Sequence, residues 1–374
     1  MSTDKPVVVY GASGYTGRLI AEYLREFNLP FVAAGRDAKR VAEAIENVPG
    51  IDTVEYEVVE VEHTVEALTE LFTGAKVICN TVGPFASYGD EVVQAALAAG
   101  CHYLDTTGEQ NWVLHARDSY GQKFADEGLL LAPSTAYMHS VSDIAANVVL
   151  ETGGIDSLEI LCLFSGTPTF ASTQSIFTIL AADHFYLEQD KLVPWPGAAS
   201  YQVQVPGQHE IFTALPWGGS AHPVWWQDDP RVANARALSG VFDQGLMNGV
   251  AAMAQHFEEN IKPLPPEEQK KALAEQASGV QGGMPPRENR RLHRTLDSVI
   301  GRGPNKLVHC VIHGNATYLQ TGAIQAFAAR QLLVAGPRKA GFASATAAFG
   351  HRELLGMLQG FGFVGDPLIT GHAG

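Results

Sequence analysis

The chain has 374 residues, of which 46% are hydrophobic and 17% are charged, and its formal net charge is −15. This length and apolar content suit two domains that each bury a core. The negative charge argues against nonspecific binding to nucleic acid or anionic membranes, and it is compatible with a local basic patch. Because the sequence has no run of eighteen apolar residues and residues 1–6 lack the apolar region of a signal peptide, we expect a cytoplasmic protein with no transmembrane segment.

The first predicted strand, residues 6–10, leads into three glycines at three-residue spacing, and a helix is predicted from Arg18 to Phe27. This combination is typical of a dinucleotide site, because glycines let the backbone approach a pyrophosphate and the helix dipole favours the anion. The spacing differs from G-x-G-x-x-G, so a glycine-rich turn between packed elements stays open as an alternative. The residues predicted to surround the phosphates are Gly11, Ser13, Gly14, Tyr15, Thr16 and Gly17.

The second predicted strand, residues 31–34, is followed by Gly35 and Arg36. At this place an acidic side chain would accept a hydrogen bond from a ribose 2′-hydroxyl, whereas an arginine would pair with a 2′-phosphate. Arg36 therefore favours NADP(H) over NAD(H). Two alternatives stay open, because Asp37 could accept from a ribose and Arg36 could belong to a solvated helix start.

The next elements continue the alternation of strands and helices. Further strands are predicted at 53–59, 76–81, 101–105 and 129–132, and helices at Ala38–Glu46, Thr64–Leu71, Glu91–Ala99 and Asn111–Glu127. Such alternation predicts an α/β domain with a parallel sheet covered on both faces, which binds ligands beyond the carboxyl ends of its strands.

Two of these strand ends carry chemically useful side chains. The strand at 76–81 runs into Asn80–Phe85, where a Gly-Pro turn would line the nicotinamide and its ribose, or would serve as an ordinary loop. The strand at 101–105 runs into a loop with Asp105 and Glu109, whose carboxylates could orient hydroxyls, take protons or cap the following helix.

After about residue 140 the composition changes, and we expect a second, α+β domain. Strands are predicted at Ser157–Phe164 and Lys306–Leu319 and a helix at Ala323–Leu333. Segment 160–226 contains many aromatic residues, Trp217 among them, and no arginine, which favours an apolar substrate or a dimer interface. Segment 262–288 is predicted to be a surface excursion or a lid.

For several other residues we prefer a structural role to a functional one. The four cysteines are widely spaced, which predicts reduced and mostly buried thiols, and His309 and His313 are interpreted as sheet histidines, not metal ligands. Arg287, Arg290, Arg291 and Arg294 have helical spacing. They are interpreted as a solvated face or as dimer salt bridges, with a grip on a substrate phosphate or carboxylate as the alternative.

Four segments together resemble the saccharopine dehydrogenase-like reductases, including the trans-acting enoyl reductases. They are GASGYTGR from Gly11, the turn at Gly35–Arg36, NTVGPF from Asn80 and HYLDTTGE from His102. The resemblance implies an NADP-binding Rossmann domain over 1–142, a substrate and dimerisation domain over 143–342, helices at 343–374 that pack back on the first domain, and a homodimer. It assigns the 2′-phosphate to Arg36. It also implies a cofactor site that contains the glycine-loop residues named above together with Asn80, Thr81, Val82, Gly83, Pro84 and Phe85, and it places Glu60 loosely near adenine.

The chain departs from this family at Ala136–Asp143, where only Ser142 and Asp143 keep the family pattern. Tyr137 and His139 stand there instead, and we take them as the candidate catalytic acids, with packing as the alternative for each. Tyr88, His102 and Glu109 are further candidate donors. N-acetyl-glutamyl-phosphate reductase shares the phrase GASGYTG, but it needs a cysteine nucleophile near the start of its second domain, and this chain has no cysteine between Cys101 and Cys162.

These observations predict an NADPH-dependent reductase that transfers a hydride to a C=C or C=O bond of a largely apolar small molecule. An amine- or imine-type dehydrogenase acting on an amino-acid derivative is one alternative, and a non-catalytic NADP-binding sensor is another.

Overall fold

The computed structural model describes residues 4–166, 168–180, 182–216, 219–278 and 284–373. Two compact units divide the chain. The first holds the residues up to Thr107 together with Trp112–Ser140 and Thr317–Phe363, and the second holds Gly108–Asn111, Val141–Ala316 and the residues from Val364 onward. The predicted domain limits stay a prediction. Trp217 lies outside the described residues.

Sixteen strands and thirteen α-helices make up the described part of the chain. The strands are β1 Val7–Tyr10, β2 Phe31–Gly35, β3 Tyr56–Glu60, β4 Val77–Asn80, β5 His102–Asp105, β6 Leu130–Ala132, β7 Ser157–Phe164, β8 Phe185–Glu188, β9 Lys191–Pro194, β10 Tyr201–Val203, β11 Phe212–Ala214, β12 Asn234–Val241, β13 Arg294–Gly303, β14 Lys306–Asn315, β15 Gly341–Phe342 and β16 Leu368–Ala373. The helices are α1 Tyr15–Glu26, α2 Ala38–Glu46, α3 Val65–Phe72, α4 Phe85–Ala98, α5 Gln110–Asp126, α6 Tyr137–Leu150, α7 Phe170–Leu180, α8 His222–Trp226, α9 Gln244–His256, α10 Pro266–Ser278, α11 Thr317–Val334, α12 Ala345–Phe349 and α13 His351–Gly360. A 3₁₀ turn spans Ile51–Thr53 and a π-helical turn spans Phe257–Ile261.

The first unit is built on a parallel sheet in the order β15-β6-β5-β4-β1-β2-β3. Its inner strand β1 places Val8 between Val32 of β2 and Ile78 of β4, and all three valines of β1 are fully buried. Helices on both faces explain why this strand is apolar throughout and does not alternate. The predicted α/β Rossmann-type domain is thereby confirmed.

Helix α11 belongs to the first unit and packs against α1. A methyl group on Gly322 of α11 would lie 2.9 Å from the backbone of Leu19, so the two helices approach closely because Gly322 has no side chain. The prediction that residues 306–319 form one strand is wrong at its end. The strand stops at Asn315, Ala316 takes a left-handed conformation with φ of 58°, and the helix begins at Thr317.

The second unit contains a mixed sheet in the order β16-β14-β13-β7-β12-β8-β9. Leu161 of β7 pairs in parallel with Leu238 of β12 and antiparallel with Ser298 of β13. One core cluster of this unit joins Leu163 and Leu296 of the sheet to Phe212 of the separate β10–β11 hairpin. Helices from α6 to α10 complete the predicted α+β domain.

The helix suggested by the spacing of the arginines at 287–294 is not formed. Residues 284–293 form no helix, and Arg294 begins β13. Asn289 organises this segment as a turn, because its side chain accepts the Arg291 N–H at 3.0 Å and its carbonyl accepts the His293 N–H at 2.9 Å. Part of the predicted excursion at 262–288 is helix α10, and residues 279–283 lie outside the described residues.

The cysteines and His309, for which the sequence favoured a structural role, are buried or hydrogen-bonded. All four cysteines are buried thiols that form no disulfide bond within the described residues. His309 Nε2 lies 2.8 Å from Ser298 Oγ on the neighbouring strand. Over the described ranges, no group of three or more His, Cys, Asp or Glu side chains is placed to hold a metal ion, and no helix is both long and apolar enough to cross a bilayer.

Candidate functional site

The glycine loop between β1 and α1 is shaped by close backbone contacts. Gly11 has a φ of 89°, which favours glycine, and its N–H donates to the Ala34 carbonyl at 2.9 Å. A methyl group on Gly17 would stand 2.5 Å from the Gly11 carbonyl oxygen. The loop therefore folds back on the first turn of α1 in a way that side chains at these positions would prevent.

The amino terminus of α1 offers backbone donors beside this loop. Its N-cap is Gly14, and no side chain caps the first turn. The first N–H groups of a helix lack intrahelical partners and carry the positive end of the dipole, so they suit a diphosphate. Ser13 and Thr16 are half-buried in this loop, whereas the ring of Tyr15 is buried and packs edge-on against Tyr318 at 5.1 Å between centroids.

The end of β2 presents an exposed arginine beside two occupied carboxylates. Arg36 is exposed. The Asp37 side chain accepts the Arg40 N–H at 3.0 Å, and Glu60 Oε2 accepts the Ala38 N–H at 2.9 Å. Both acids are therefore engaged by the first turn of α2, where they satisfy backbone donors.

The loop after β4 is tied to the glycine loop. Thr81 Oγ1 donates to the carbonyls of Tyr10 at 3.0 Å and Gly11 at 3.2 Å. Asn80 is fully buried, and its Oδ1 accepts the Val82 N–H at 3.0 Å. Gly83 and Pro84 follow, half-buried, and Pro84 is the N-cap of α4, whose first residue Phe85 is buried. The structure thus brings Asn80–Phe85 and the glycine loop together at the carboxyl edge of one sheet.

Asp105, at the end of β5, joins two loops at this edge. Its Oδ1 accepts the N–H groups of Thr107 at 3.0 Å and Ser134 at 2.8 Å. Its Oδ2 accepts Trp112 Nε1–H at 2.8 Å and the Tyr103 hydroxyl at 2.9 Å. These four donors come from the loops after β5 and β6 and from the flanking elements, so one carboxylate fixes their positions.

The Asp105 network extends to the loop after β4. The Asn80 side-chain amide donates to the Tyr103 hydroxyl at 3.0 Å, and that hydroxyl donates to Asp105. Burial raises the pKa of Asp105 to about 6, while hydrogen bonds from Thr107, Trp112, Ser134 and Tyr103 oppose the rise. An ionised Asp105 can accept all four donors, whereas a protonated one cannot.

Tyr137 and His139 lie in the first turn of α6, directly after the loop that follows β6. Both are buried, and the Tyr137 N–H donates to Thr321 Oγ1 at 3.1 Å. Burial lowers the pKa of His139 to about 4, so its imidazole is neutral near pH 7. Of this pair, the Tyr137 hydroxyl and a neutral imidazole N–H are the groups that can donate.

The other candidate donors have different surroundings. His102 begins β5 and so lies at the amino edge of the parallel sheet, away from the edge that carries the glycine loop. Its Nδ1 accepts the Leu130 N–H at 2.9 Å, which is a structural role. Tyr88 is exposed on α4. Glu109 is grouped with the second unit, where it is buried and its Oε1 accepts from Ser175 Oγ at 3.4 Å.

Two polar contacts in the second unit had no clear signal in the sequence. Ser142 Oγ lies 3.0 Å from His222 Nε2, and both side chains are fully buried. The Gln110 side-chain amide donates to the carbonyls of Phe185 at 2.9 Å and Ser220 at 2.8 Å. Ser142 was visible as part of a family pattern, but His222 stands 80 residues away.

The second unit also contains a cleft of about 100 Å³. Apolar side chains form most of its walls, among them Trp195, Leu215 and Phe257, and the paired Lys262 and Glu258 also line it. Lys262 Nζ lies 2.8 Å from Glu258 Oε1.

Comparison with known proteins divides the chain into two matched regions. Residues 7–130 match the model of the saccharopine dehydrogenase NADP binding domain. Residues 140–373 match a family of unknown function, DUF5938. The described glycine loop and the loop after β4 both fall in the first of these regions.

Two curated relatives match part of the chain. A lipid droplet localized protein of Caenorhabditis elegans is 33% identical over 149 residues, which cover 38% of this chain and 35% of the relative. A trans-acting enoyl reductase of Mycobacterium ulcerans is 33% identical over 141 residues, which cover 37% of this chain and 34% of the relative. The similarity thus spans about a third of the length of each relative.

A solved structure matches the whole chain. Saccharopine dehydrogenase (L-Glu forming) from Saccharomyces cerevisiae superposes with a TM-score of 0.61 at 12% identity, over 99% of this chain and 100% of that one. At this identity the likeness concerns the fold alone. The chain belongs to the family of unknown function DUF5938 and carries, at 7–130, a saccharopine dehydrogenase-type NADP-binding domain.

Proposed function

We propose that the chain is an NADPH-dependent oxidoreductase that reduces a C=C or C=O bond of a largely apolar small molecule. The observation that carries this proposal is the pairing of an uncapped helix amino terminus at Gly14 with an exposed Arg36 at the end of β2. The first suits a diphosphate and the second suits a 2′-phosphate.

The residues present fit a dinucleotide. Methyl groups at Gly11 and Gly17 would fill the loop, and the engaged carboxylates of Asp37 and Glu60 leave Arg36 as the exposed charged side chain that follows β2 directly. In this proposal Gly11–Gly17 hold the diphosphate and Arg36 the 2′-phosphate. Asn80–Phe85 line the ribose and the nicotinamide, since the loop after β4 is bonded to the glycine loop through Thr81.

A bound NADPH would supply the hydride. The chain must then deliver a proton to the atom on which negative charge builds, and Tyr137 is the donor that we favour. Tyr137 follows the loop whose Ser134 N–H is held by Asp105, so its position depends on a buried carboxylate. His139, neutral near pH 7 because of its burial, is the second candidate as a hydrogen-bond donor.

The apolar character of the substrate is supported by the second unit. The cleft lined by Trp195, Leu215 and Phe257 offers apolar walls to a small group, beside the paired Lys262 and Glu258. The trans-acting enoyl reductase among the relatives acts, by its name, on an enoyl group, which is consistent with reduction of a C=C bond.

The direct test is NADPH oxidation, followed at its nicotinamide absorbance, with a panel of apolar enones, enoyl thioesters and ketones. We expect turnover with at least one enone or ketone and none with amino-acid imines. Turnover confined to amino donors with NADP+ would favour an amine dehydrogenase instead. Tight NADPH binding without turnover, either of the enones, thioesters and ketones or of the amino donors with NADP+, would favour a sensor.

A further inference from the structure

One end of the second sheet gathers several loops of the second unit. Phe164, the last residue of β7, lies opposite Val241, the last residue of β12, and opposite Thr295 near the start of β13. Neighbouring strands are about 4.8 Å apart. The segments that follow β7 and β12 and the segment that precedes β13 therefore emerge side by side.

Large apolar side chains are exposed at this end. Leu292 is 69% exposed, Ile211 is 59% exposed and Leu246 is 47% exposed. Single exposed leucines are common on protein surfaces, whereas a group of them at one place marks an interaction site. We call these three residues the apolar rim.

Hydrogen bonds hold the apolar rim at the end of the sheet. The Leu292 carbonyl accepts Ser165 Oγ at 3.1 Å, directly after β7. Leu246 lies in the first turn of α9, which begins just after β12. Ile211 precedes Thr213, whose N–H donates to Gln244 Oε1 in the same turn of α9 at 2.7 Å.

Four exposed arginines accompany the rim. Arg287, Arg290, Arg291 and Arg294 lie in or directly after the turn that contains Leu292, and all four are exposed. Three acidic residues lie in the same segments: Glu288 is buried, the Asp243 side chain caps α9 by accepting the Leu246 N–H at 3.0 Å, and Glu210 is exposed beside Ile211. His293 is half-buried in the same turn. By formal count residues 287–294 carry four arginines and one glutamate, so this segment is basic in a chain whose net charge is −15.

We propose that the apolar rim and these arginines form a docking surface for an anionic lipid bilayer. Arginines bind lipid phosphates and carboxylates, and leucine and isoleucine side chains enter the region between headgroups and acyl chains. The docking surface combines exposed apolar side chains with arginines at one end of the sheet, and this combination favours a lipid surface. An acidic protein would also need an apolar surface shaped to fit the apolar rim. This surface is independent of the proposed reduction, since no residue of the proposed cofactor site belongs to it.

The test is sedimentation of the full chain with lipid vesicles, made of phosphatidylcholine alone or with about 30% phosphatidylserine. We expect binding to the anionic vesicles at about 0.05 M salt, weaker binding at about 0.5 M salt, and little binding to the neutral vesicles. Each arginine near such a surface contributes about fivefold to the partition coefficient, so the double variant Arg291→Gln/Arg294→Gln should lower it about 25-fold. Leu292→Ser should lower it as well.

The other end of β13 supplies matched controls. Arg302 is exposed there and lies opposite Leu307, which is 39% exposed. Arg302→Gln and Leu307→Ser make the same chemical changes on the same pair of strands and should leave vesicle binding unchanged. The proposal is overturned if the wild-type chain does not bind anionic vesicles at low salt, or if the control variants reduce binding as much as the others. It is also overturned if the rim variants change only the oligomeric state, which would assign this end to contact between copies of the chain.

Discussion

Gly17 lies against the Gly11 carbonyl, so that a methyl group added to Gly17 would stand 2.5 Å from that oxygen. The first turn of α1 therefore sits directly on the loop that precedes it. This contact fixes the backbone donors of α1 where a diphosphate would bind.

The first prediction concerns Gly17→Ala. Because the methyl group meets backbone, the loop must shift, and we expect a loss of about 1–3 kcal/mol in the free energy of unfolding and weaker NADPH binding. Gly356→Ala is the control, since a methyl group there meets no atom within 4 Å inside α13 and alanine should stabilise that helix by about 1 kcal/mol. Urea unfolding with and without NADPH measures both effects. Equal stability of the two variants would contradict the close contact.

The second prediction concerns the pH dependence of stability. The pKa of Asp105 is about 6 in the folded chain, above the ordinary value near 4, so between these values the folded state binds more protons than the unfolded state. The contribution of Asp105 to stability is thus full below about pH 4 and is lost as the pH rises to about 6. The shift of about two units corresponds to about 3 kcal/mol.

The measurement is urea unfolding of the wild type and Asp105→Asn at about pH 4.5 and pH 7. On going from about pH 7 to about pH 4.5, the free energy of unfolding should change by about 2 kcal/mol more in favour of the folded state in the wild type than in the variant, since other titrating groups cancel in the comparison. Tyr103→Phe keeps the carboxylate and removes one donor, so it should retain the pH dependence. An identical pH dependence in the wild type and Asp105→Asn would show that Asp105 titrates normally.

The third prediction concerns the proton donor. Tyr137→Phe removes only the hydroxyl, and we expect kcat to fall about 100-fold or more while NADPH binding is kept. His139→Ala should lower kcat less. Since the pKa of His139 is about 4, this histidine should add no titration step to the rate between about pH 5.5 and pH 8.

Steady-state kinetics on the best substrate of the panel measures these effects. Tyr56→Phe serves as the control, because the Tyr56 ring stacks on Phe31 within the first sheet at 5.9 Å between centroids. Full turnover in both Tyr137→Phe and His139→Ala would rule out both residues as acids.

Much of the first unit could be predicted from local patterns. The bounds of α2 are those predicted, since Asp37 supplies a helix cap and the apolar residues repeat at helical spacing. In the second unit, the bounds of β7 are also those predicted, from its apolar run between polar segments. Predictions of this kind depend on residues that are close in sequence.

Features that depend on distant contacts or on competing local signals could not be predicted. The apolar residues after Lys306 are interrupted at residues 313–315, but this interruption alone did not mark Thr317 as the start of a helix. The arginine spacing suited a helix, but the Asn289 turn replaces it. The four donors around Asp105 and the contact between Ser142 and His222 join segments that are separated by up to 80 residues, and no local pattern encodes such contacts.

In the function proposed here, the amino-terminal unit binds NADPH through Arg36. Titration of the wild type and Arg36→Ala with NADPH and with NADH, followed by calorimetry, tests it most directly. Hydrogen bonds to a charged group contribute about 1.5–3 kcal/mol, so we predict that Arg36→Ala lowers NADPH affinity about 10- to 100-fold and leaves NADH affinity within about twofold. Arg338→Ala, at an exposed ion pair with Glu353 in the same unit, should change neither. Binding of neither coenzyme to the wild type, or unchanged NADPH affinity in Arg36→Ala, would contradict the account.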